Sequence, residues 1–405
     1  MPGSCDSFDP SRSLLLFPQG AGDTTHSRQA LDRARQRAPV ILSAKGRIEE
    51  ARGRLAGALV RFRDNPLVEF DAGPRFTQQG HLADVDVGIS QNFEFGGRRS
   101  ARIAGAESGI ARETATSEEV TRRLLRDVGV AFLRSLWAQK RLELLQSSEK
   151  LATEFSETAQ KRYDAGNIPV LEVNLAKTSA VRARSEVRGA TADFAEALGD
   201  LRVFLGMGPE ESLSVRGDLR EQKQYELDSL LAAAPERPDL KALAAEVREA
   251  EADVRLGAGF KWPEVGVGGK YLRDEGNNIV QGGLKITLPV FSKGQEAQAT
   301  GNARAARVRT ELESAQRTVR SEVRTAFEIQ KFRRETVEEL ERAALPGVEE
   351  NDTLARRSYE EGEINLPELI FIRREILETK LSYANSLLEA GLACLEVEFR
   401  AGVLR

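Results

Sequence analysis

At 405 residues, with 30% charged and only 6% aromatic side chains, the chain could bury a large core, yet this balance suits long two-faced helices better than one thick globule. A net charge of −4 argues against a nucleic-acid footprint, which needs a clustered basic face, and two cysteines cannot build a disulfide framework. No apolar run approaches the roughly 20 residues of a membrane-spanning helix, while a β-barrel stays open because its alternating strands leave only a weak hydropathy signal.

Residues 1–28 mix Pro, Gly, Ser and Asp without a period and read as disordered. Leu14-Leu15-Leu16-Phe17 is too short for a signal-peptide core, and Cys5 lacks the upstream apolar segment of a lipoprotein signal. Either the protein is not exported or a genuine leader has been lost or replaced. A helix is expected from about Gln29 to Phe62, with Pro39 delaying its regular start and Pro66 ending it. The period then changes to two. Val68, Phe70 and Ala72 alternate with Glu69, Asp71 and Gly73, and Ala83, Val85, Val87 and Ile89 alternate with Asp84, Asp86, Gly88 and Ser90. This predicts strands over Leu67–Phe76 and Leu82–Glu94, with Gly73-Pro74 and Gln79-Gly80 supplying loop chemistry.

After Gly96-Gly97, a helical period returns for about 68 residues without a proline. Leu124, Val128, Ala131, Ser135, Ala138, Leu142 and Leu145 alternate steps of four and three, a coiled-coil seam. Gly166 should stop this helix, with Asn167 and Pro169 suited to the cap and first turn of the next, which runs to about Leu205. Gly206 to Ala234 has weaker periodicity and reads as a linker.

The plan then repeats. A helix over about Arg237–Ala258 precedes Pro263, strands follow at Glu264–Leu272 and Ile279–Phe291, and a long helix spans Gln295–Glu361 with an interruption at Pro346-Gly347. A shorter helix, Pro367–Gly402, closes the copy, with Cys394 beside its apolar seam as a small buried hydrophobe. Tyr163-Asp164-Ala165-Gly166-Asn167-Ile168 aligns with Tyr359-Glu360-Glu361-Gly362-Glu363-Ile364, and the apolar positions stay in register beyond it, from Val173 against Leu369 to Leu201 against Val397. The domain reading is therefore a first repeat at 29–206 with strands within 67–94, a linker at 207–234, and a second repeat at 235–402 with strands within 264–291. Four strands per chain cannot close a barrel, and open edges are prohibitive in a bilayer. Several chains must share one barrel, or the strands must form a small covered sheet.

The duplicated helix–hairpin–long helix–turn–helix plan, the junctions Ile89-Ser90-Gln91-Asn92-Phe93-Glu94-Phe95-Gly96-Gly97-Arg98-Arg99 and Ile286-Thr287-Leu288-Pro289-Val290-Phe291-Ser292-Lys293-Gly294, and the Tyr-x-x-Gly turn in both copies resemble the TolC family of outer-membrane efflux proteins over nearly all of residues 29–402. The fold class this implies is mainly α with a small β part. Duplicated coiled-coil helices would form a trimeric tunnel, and four strands per chain would contribute to a shared twelve-stranded outer-membrane β-barrel. The resemblance further implies a homotrimer in outer-membrane lipid with a large periplasmic portion, passing substrate unchanged. Its partners would be a periplasmic adaptor (membrane fusion) protein and a proton-driven inner-membrane pump, with no nucleic acid and no cofactor. Arg162–Ile168 and the following Leu171–Ala176 look closest to the heavy-metal cation branch, which would make metal cations the cargo.

From the same resemblance, Gly166, Asn167, Ile168, Gly362, Glu363 and Ile364 would be adaptor-docking tips at the tunnel mouth, with Glu172 and Glu368 six residues beyond each glycine. The second-copy position corresponds to an acidic gate, so three copies of Glu368 would make an anionic ring. Its companion acidic position is Phe371 here, a departure that implies a partly apolar constriction. The plain alternative is that Glu368, just after Pro367, favours the helix N-terminus by its charge. An enzyme is disfavoured: His26 falls in the disordered start, His81 in an expected surface loop, and neither has neighbours spaced as metal ligands or a nucleophile pair. The competing reading is a soluble coiled-coil scaffold, which leaves the two alternating hairpins unexplained.

Overall fold

The computed structural model of the protein describes residues 35, 38–77, 80–208, 211, 213–220, 223–274 and 277–404. The segment 1–28, with Cys5, Leu14–Phe17 and His26, lies outside the described residues. Helix α1 (Pro39–Leu59) starts at a proline, whose missing N–H is harmless in a first turn, and ends short of Phe62. Leu59 and Val60 are exposed, and Phe62 sets its ring edge-on against Phe93 at 5.6 Å instead of extending the helix.

Strands β1 (Leu67–Thr77), β2 (Gly80–Phe93), β3 (Glu264–Asp274) and β4 (Asn277–Thr287) form one antiparallel sheet in the order β1-β2-β3-β4. Three expectations are corrected here. Gly73-Pro74 is not a loop: it lies within β1, opposite Asp84 and Ala83, and an edge strand is where a proline's missing donor is tolerated. His81 is not in a loop either, but pairs with Phe76 inside β2. At the other edge β4 stops at Thr287, two residues before Pro289, and does not reach Phe291. Register divides the sheet into two faces. Phe70, Val87, Tyr271 and Val280 stand opposite one another across the four strands, and Val68 and Ile89, Val267 and Leu284, and Val265 and Ile286 pair on the same face. The other face carries Glu69, Asp71, Asp84, Asp86, Lys270 and Lys285 with several glycines, and Lys270 bonds Asp86. The apolar face is left open: Val68, Phe70, Ile89, Leu284 and Ile286 are all exposed.

The remaining elements are helical. They are α2 (Arg98–Asp164), α3 (Val170–Phe204), α4 (Leu227–Ala233) followed by a 3₁₀ turn, α5 (Pro238–Gly259), α6 (Gln295–Glu339), a π-helical turn (Leu340–Ala344), α7 (Leu345–Glu360) and α8 (Leu366–Ala401). Helix α4 lies in the stretch read as a weakly periodic linker. The break in the second long helix precedes Pro346 instead of coinciding with it. A helical proline's ring clashes with the carbonyl four residues back, here Arg342, inside the π turn.

Two compact units emerge, and each takes chain from both repeats. The first comprises the described residues of Met1–Leu42, Glu119–Arg237 and Arg317–Arg405; the second comprises Ser43–Glu118 and Pro238–Gln316. In the first unit, the α2 seam residues Leu124, Val128 and Ala131 are buried, and Phe132, Leu201, Leu205, Val337, Leu387 and Ala390 join the same core. Two of the buried polar groups there are held by their neighbours. Ser135 donates to the Ala131 carbonyl at 2.8 Å, and Arg122 bonds both Glu119 oxygens and the Phe399 carbonyl while lying 4.0 Å over the Phe399 ring. Residues of the inter-repeat segment cover α8: Val215 and Leu219 are buried, and Tyr225 donates to Glu398, whose carboxyl burial holds above the usual range. Burial likewise pushes the Cys394 thiol up to about 12, the behaviour of an inert buried hydrophobe.

In the second unit, α5 presents Ala245, Ala250, Ala252 and Gly257 to its neighbours, and small side chains permit close helix contact. Arg98, almost wholly buried, fastens the start of α2. It bonds Glu264 and the carbonyls of Gly259 and Trp262, and lies over the Phe260 ring. Gly96 must be glycine because φ is +73° and a Cβ there would meet the Trp262 ring at 2.3 Å.

Candidate functional site

Both Tyr-x-x-Gly turns lie in the first unit and adopt the same backbone. Gly166 and Gly362 have φ of +75° and +81°, which terminates α2 and α7 in the left-handed conformation. The Asn167 N–H donates to the Arg162 carbonyl at 2.8 Å, and the Glu363 N–H donates to the Ser358 carbonyl at 2.8 Å. These six-to-one bonds satisfy the last helical carbonyls and reverse the chain within five residues.

The starts of the following helices differ. Asn365 caps α8 with a full capping box: its Oδ1 accepts from the Glu368 N–H at 2.9 Å, and a Glu368 carboxylate oxygen accepts from the Asn365 N–H at 3.0 Å. Asn167, expected to do the same in the first copy, does not. Pro169 occupies the cap of α3 with no side-chain cap bond, because the helix starts two residues later than that role requires. The Glu368 side chain is thus turned back along its own helix. Phe371 stands free at 63% exposure, and Glu172 in the first turn of α3 is half-buried.

Beneath the turns lies a separate apolar cluster drawn from both hairpins: Ala159, Ala176, Ala355, Tyr359, Leu366 and Leu369, with Phe155, Ile168, Ile364, Ile370 and Ile372 packed around it. The two turns are therefore one structural site. Ile168 and Ile364 are half-buried in it, while Gly166, Asn167, Gly362 and Glu363 remain exposed. Tyr359 is 5% exposed, set edge-on against Phe155 at 5.9 Å with the Arg162 guanidinium 5.4 Å above its ring. The equivalent Tyr163 is 41% exposed. Arg373 links three helices, bonding Asp352 of α7 at 2.7 Å and lying 5.6 Å from the Phe155 ring. Phe155 and Arg373 escaped the sequence reading. Neither belongs to the repeated motif: the counterpart of Phe155 is Asn351, and that of Arg373 is Lys177, which keeps the charge but not the planar guanidinium. The scarcity of aromatics was the one signal that could have drawn attention to Phe155.

Among the described residues, no group of His, Cys, Asp and Glu is placed to hold a metal ion, and no helix is long and apolar enough to cross a membrane. The chain matches the model of the outer membrane efflux protein family over residues 30–207 and 230–390. It is 25% identical over 294 residues to the cobalt-zinc-cadmium resistance protein CzcC of Cupriavidus metallidurans, covering 72% of this chain and 70% of that one. Its fold is similar to that of the CmeC outer membrane channel of Campylobacter jejuni, with a TM-score of 0.77 and 14% identity, covering 100% of this chain and 93% of that one. The transmembrane channel protein CusC is also similar, with a TM-score of 0.78, 14% identity and 99% of both chains covered.

Proposed function

The chain belongs to the outer membrane efflux protein family, and from its place there as an outer-membrane channel we propose how it assembles, where it docks and what it conducts. Three copies close a twelve-stranded barrel, each contributing β1–β4. The observation that carries this is the sheet itself: four antiparallel strands, unpaired edges at β1 and β4, and one continuous exposed apolar face. Edges left open in lipid would cost several kcal/mol for each unpaired backbone group, so closure needs further strands, and identical chains supply them. Lipid faces Val68, Phe70, Val85, Val87, Ile89, Val265, Val267, Leu284 and Ile286, which register puts on one side. Leu288, next in the same alternation, lies one residue beyond β4. The carboxylate-bearing face lines the pore. A scaffold has no use for such an open apolar face.

The paired turns form the periplasmic mouth and dock a periplasmic adaptor, through which an inner-membrane pump delivers cargo. Their exposed Gly166, Asn167, Gly362 and Glu363 are the contact points, with Ile168 and Ile364 fixing the turns from beneath. Glu368 and Phe371 form the constriction, and Glu172 flanks it from the first copy. The capping box limits Glu368 to the share of its charge not engaged by its own helix end. The relative named for cobalt, zinc and cadmium resistance supports metal cations as cargo.

The test is made on protein expressed behind a functional export leader. A charge at Val87 or Ile286, near the bilayer midplane, should cost about 2–4 kcal/mol of membrane stability. Normal insertion of both variants would remove the lipid-facing assignment. In planar bilayers, Glu368→Gln should reduce cation preference with trimer assembly intact, and unchanged selectivity would leave Glu368 as a capping residue alone.

A further inference from the structure

Helices α6 and α7 are separated by one π-helical turn, Leu340–Ala344, whereas the equivalent stretch of the first copy, residues 143–147, lies in unbroken α2. A π turn widens the helix locally, is a recognised cause of bending and recurs at functional positions. Pro346 and Gly347 follow at once, so the same stretch also lacks one N–H donor and carries a residue of low helix propensity.

Three side chains from separate segments meet at this turn. Tyr383 of α8 donates its hydroxyl to Glu341 in the π turn at 2.5 Å. Arg220, from the segment between the repeats, donates Nε to the same hydroxyl oxygen at 3.0 Å, and its guanidinium is 3.9 Å from the Glu341 carboxylate. The segment bearing Arg220 is itself fixed. Asp218 accepts from the Arg220 N–H at 2.9 Å, and Val215 and Leu219 are buried in the core. Tyr383 is buried, while the Arg220 and Glu341 side chains remain 60% and 41% exposed, within reach of solvent or another molecule. Desolvation, reinforced by the Glu341 hydrogen bond, pushes the Tyr383 hydroxyl up to about 12, so it stays a donor across the neutral range. The first copy has Val187 at the equivalent of Tyr383 and can make no such contact.

We propose that the π turn is a hinge in the second hairpin, and that Arg220, Tyr383 and Glu341 form the latch that sets it, coupling the inclination of α7 to the inter-repeat segment 213–220. The device is confined to one of the two repeats. Releasing Arg220 leaves Glu341 with one neutral donor and frees the π turn to straighten or bend. Displacement of α7 carries the second turn with it, so the inter-repeat segment controls the constriction at a distance. That last consequence rests on the channel reading; the hinge and latch do not.

Hydrogen–deuterium exchange of the full-length protein in detergent tests this without any conduction measurement, so failure of the channel reading and failure of the latch are separable. Tyr383→Phe keeps the ring packing and deletes the hydroxyl that both partners use. Arg220→Met removes the charge from an exposed position and leaves the fold's core untouched. Amides of 340–360 should exchange on the order of tenfold faster in Tyr383→Phe, and faster by a smaller factor in Arg220→Met, while those of 143–164 keep the wild-type rate. Unchanged exchange over 340–360 in both variants would overturn the latch. Acceleration spread equally over both hairpins would overturn the hinge, because it would mean global loosening.

Discussion

The turn Tyr163–Ile168 and the turn Tyr359–Ile364 share a backbone and differ in almost everything their side chains do. Glycine with positive φ and one six-to-one hydrogen bond set the reversal in both. Beyond that, the first turn exposes its tyrosine and starts its next helix without a side-chain cap, while the second buries its tyrosine and closes a capping box. The helices feeding them differ too: α2 runs unbroken for 67 residues, whereas its counterpart is divided by the π turn. A duplicated motif therefore specifies a local backbone solution, and the neighbours of each copy specify its role. The first hairpin has an alanine seam, with Ala176, Ala180, Ala183 and Ala190 buried against its partners; the second uses Leu369, Ile376, Tyr383 and Leu387.

The sharpest break of this contrast is expected in the shared cluster. Leu369→Ala empties a fully buried site of the second hairpin and should cost about 2–5 kcal/mol, read from denaturant unfolding in detergent by circular dichroism. Less than about 1 kcal/mol would mean that the cluster is loosely packed. In the first hairpin the opposite change should hurt: Ala176→Leu forces extra methylenes into a close helix contact and should cost about 1–3 kcal/mol. If Ala176→Leu is neutral, the alanine seam is not a close contact and the asymmetry between the hairpins disappears.

Much of this was legible before any coordinates. The two strand pairs, the helical seams and both glycine stops followed from period and from backbone chemistry, because each is decided by residues adjacent in sequence. The apolar positions that alternate in the first hairpin, Val68, Phe70, Ala72, Ala83, Val85, Val87 and Ile89, share one face of the sheet. The misreadings have a common cause. Gly73-Pro74 has loop chemistry but sits on an edge strand, where partner pairing overrides local preference, and Asn167 has capping chemistry but the wrong distance to a helix start that tertiary packing sets. The cage around Tyr359 of α7 was illegible because it draws on other helices, with Phe155 and Arg162 from α2 and Arg373 from α8. The π turn was legible only as an interruption, since period marks where a helix breaks but not how.

The caps offer a finer test of the comparison. Asn365→Ala removes one half of the capping box and frees Glu368 from the other, and should cost about 0.5–2 kcal/mol. Asn167→Ala, at the residue with the same chemistry but no capping bond, should stay within about 0.5 kcal/mol of wild type. Equal costs would mean that the first turn tightens in the assembled protein and that the two copies are more alike than their single-chain geometry.

The smallest expected effect discriminates best. The Tyr359 hydroxyl is buried and has no hydrogen-bond partner among the described residues, although its ring is held by Phe155 and Arg162. A buried hydroxyl without a partner has lost its water contacts and gained nothing in return, so Tyr359→Phe removes a penalty and keeps both ring contacts. Its stability should change between zero and a gain of about 1 kcal/mol. Tyr163→Phe, at an exposed ring, should change stability by less than about 0.5 kcal/mol, which gives a reference for the same chemical deletion in water. A loss of more than about 1 kcal/mol in Tyr359→Phe alone would show that the hydroxyl finds an acceptor once copies assemble. The second turn would then be part of a contact between chains, and the burial of its tyrosine would serve assembly instead of the packing of one hairpin against the other.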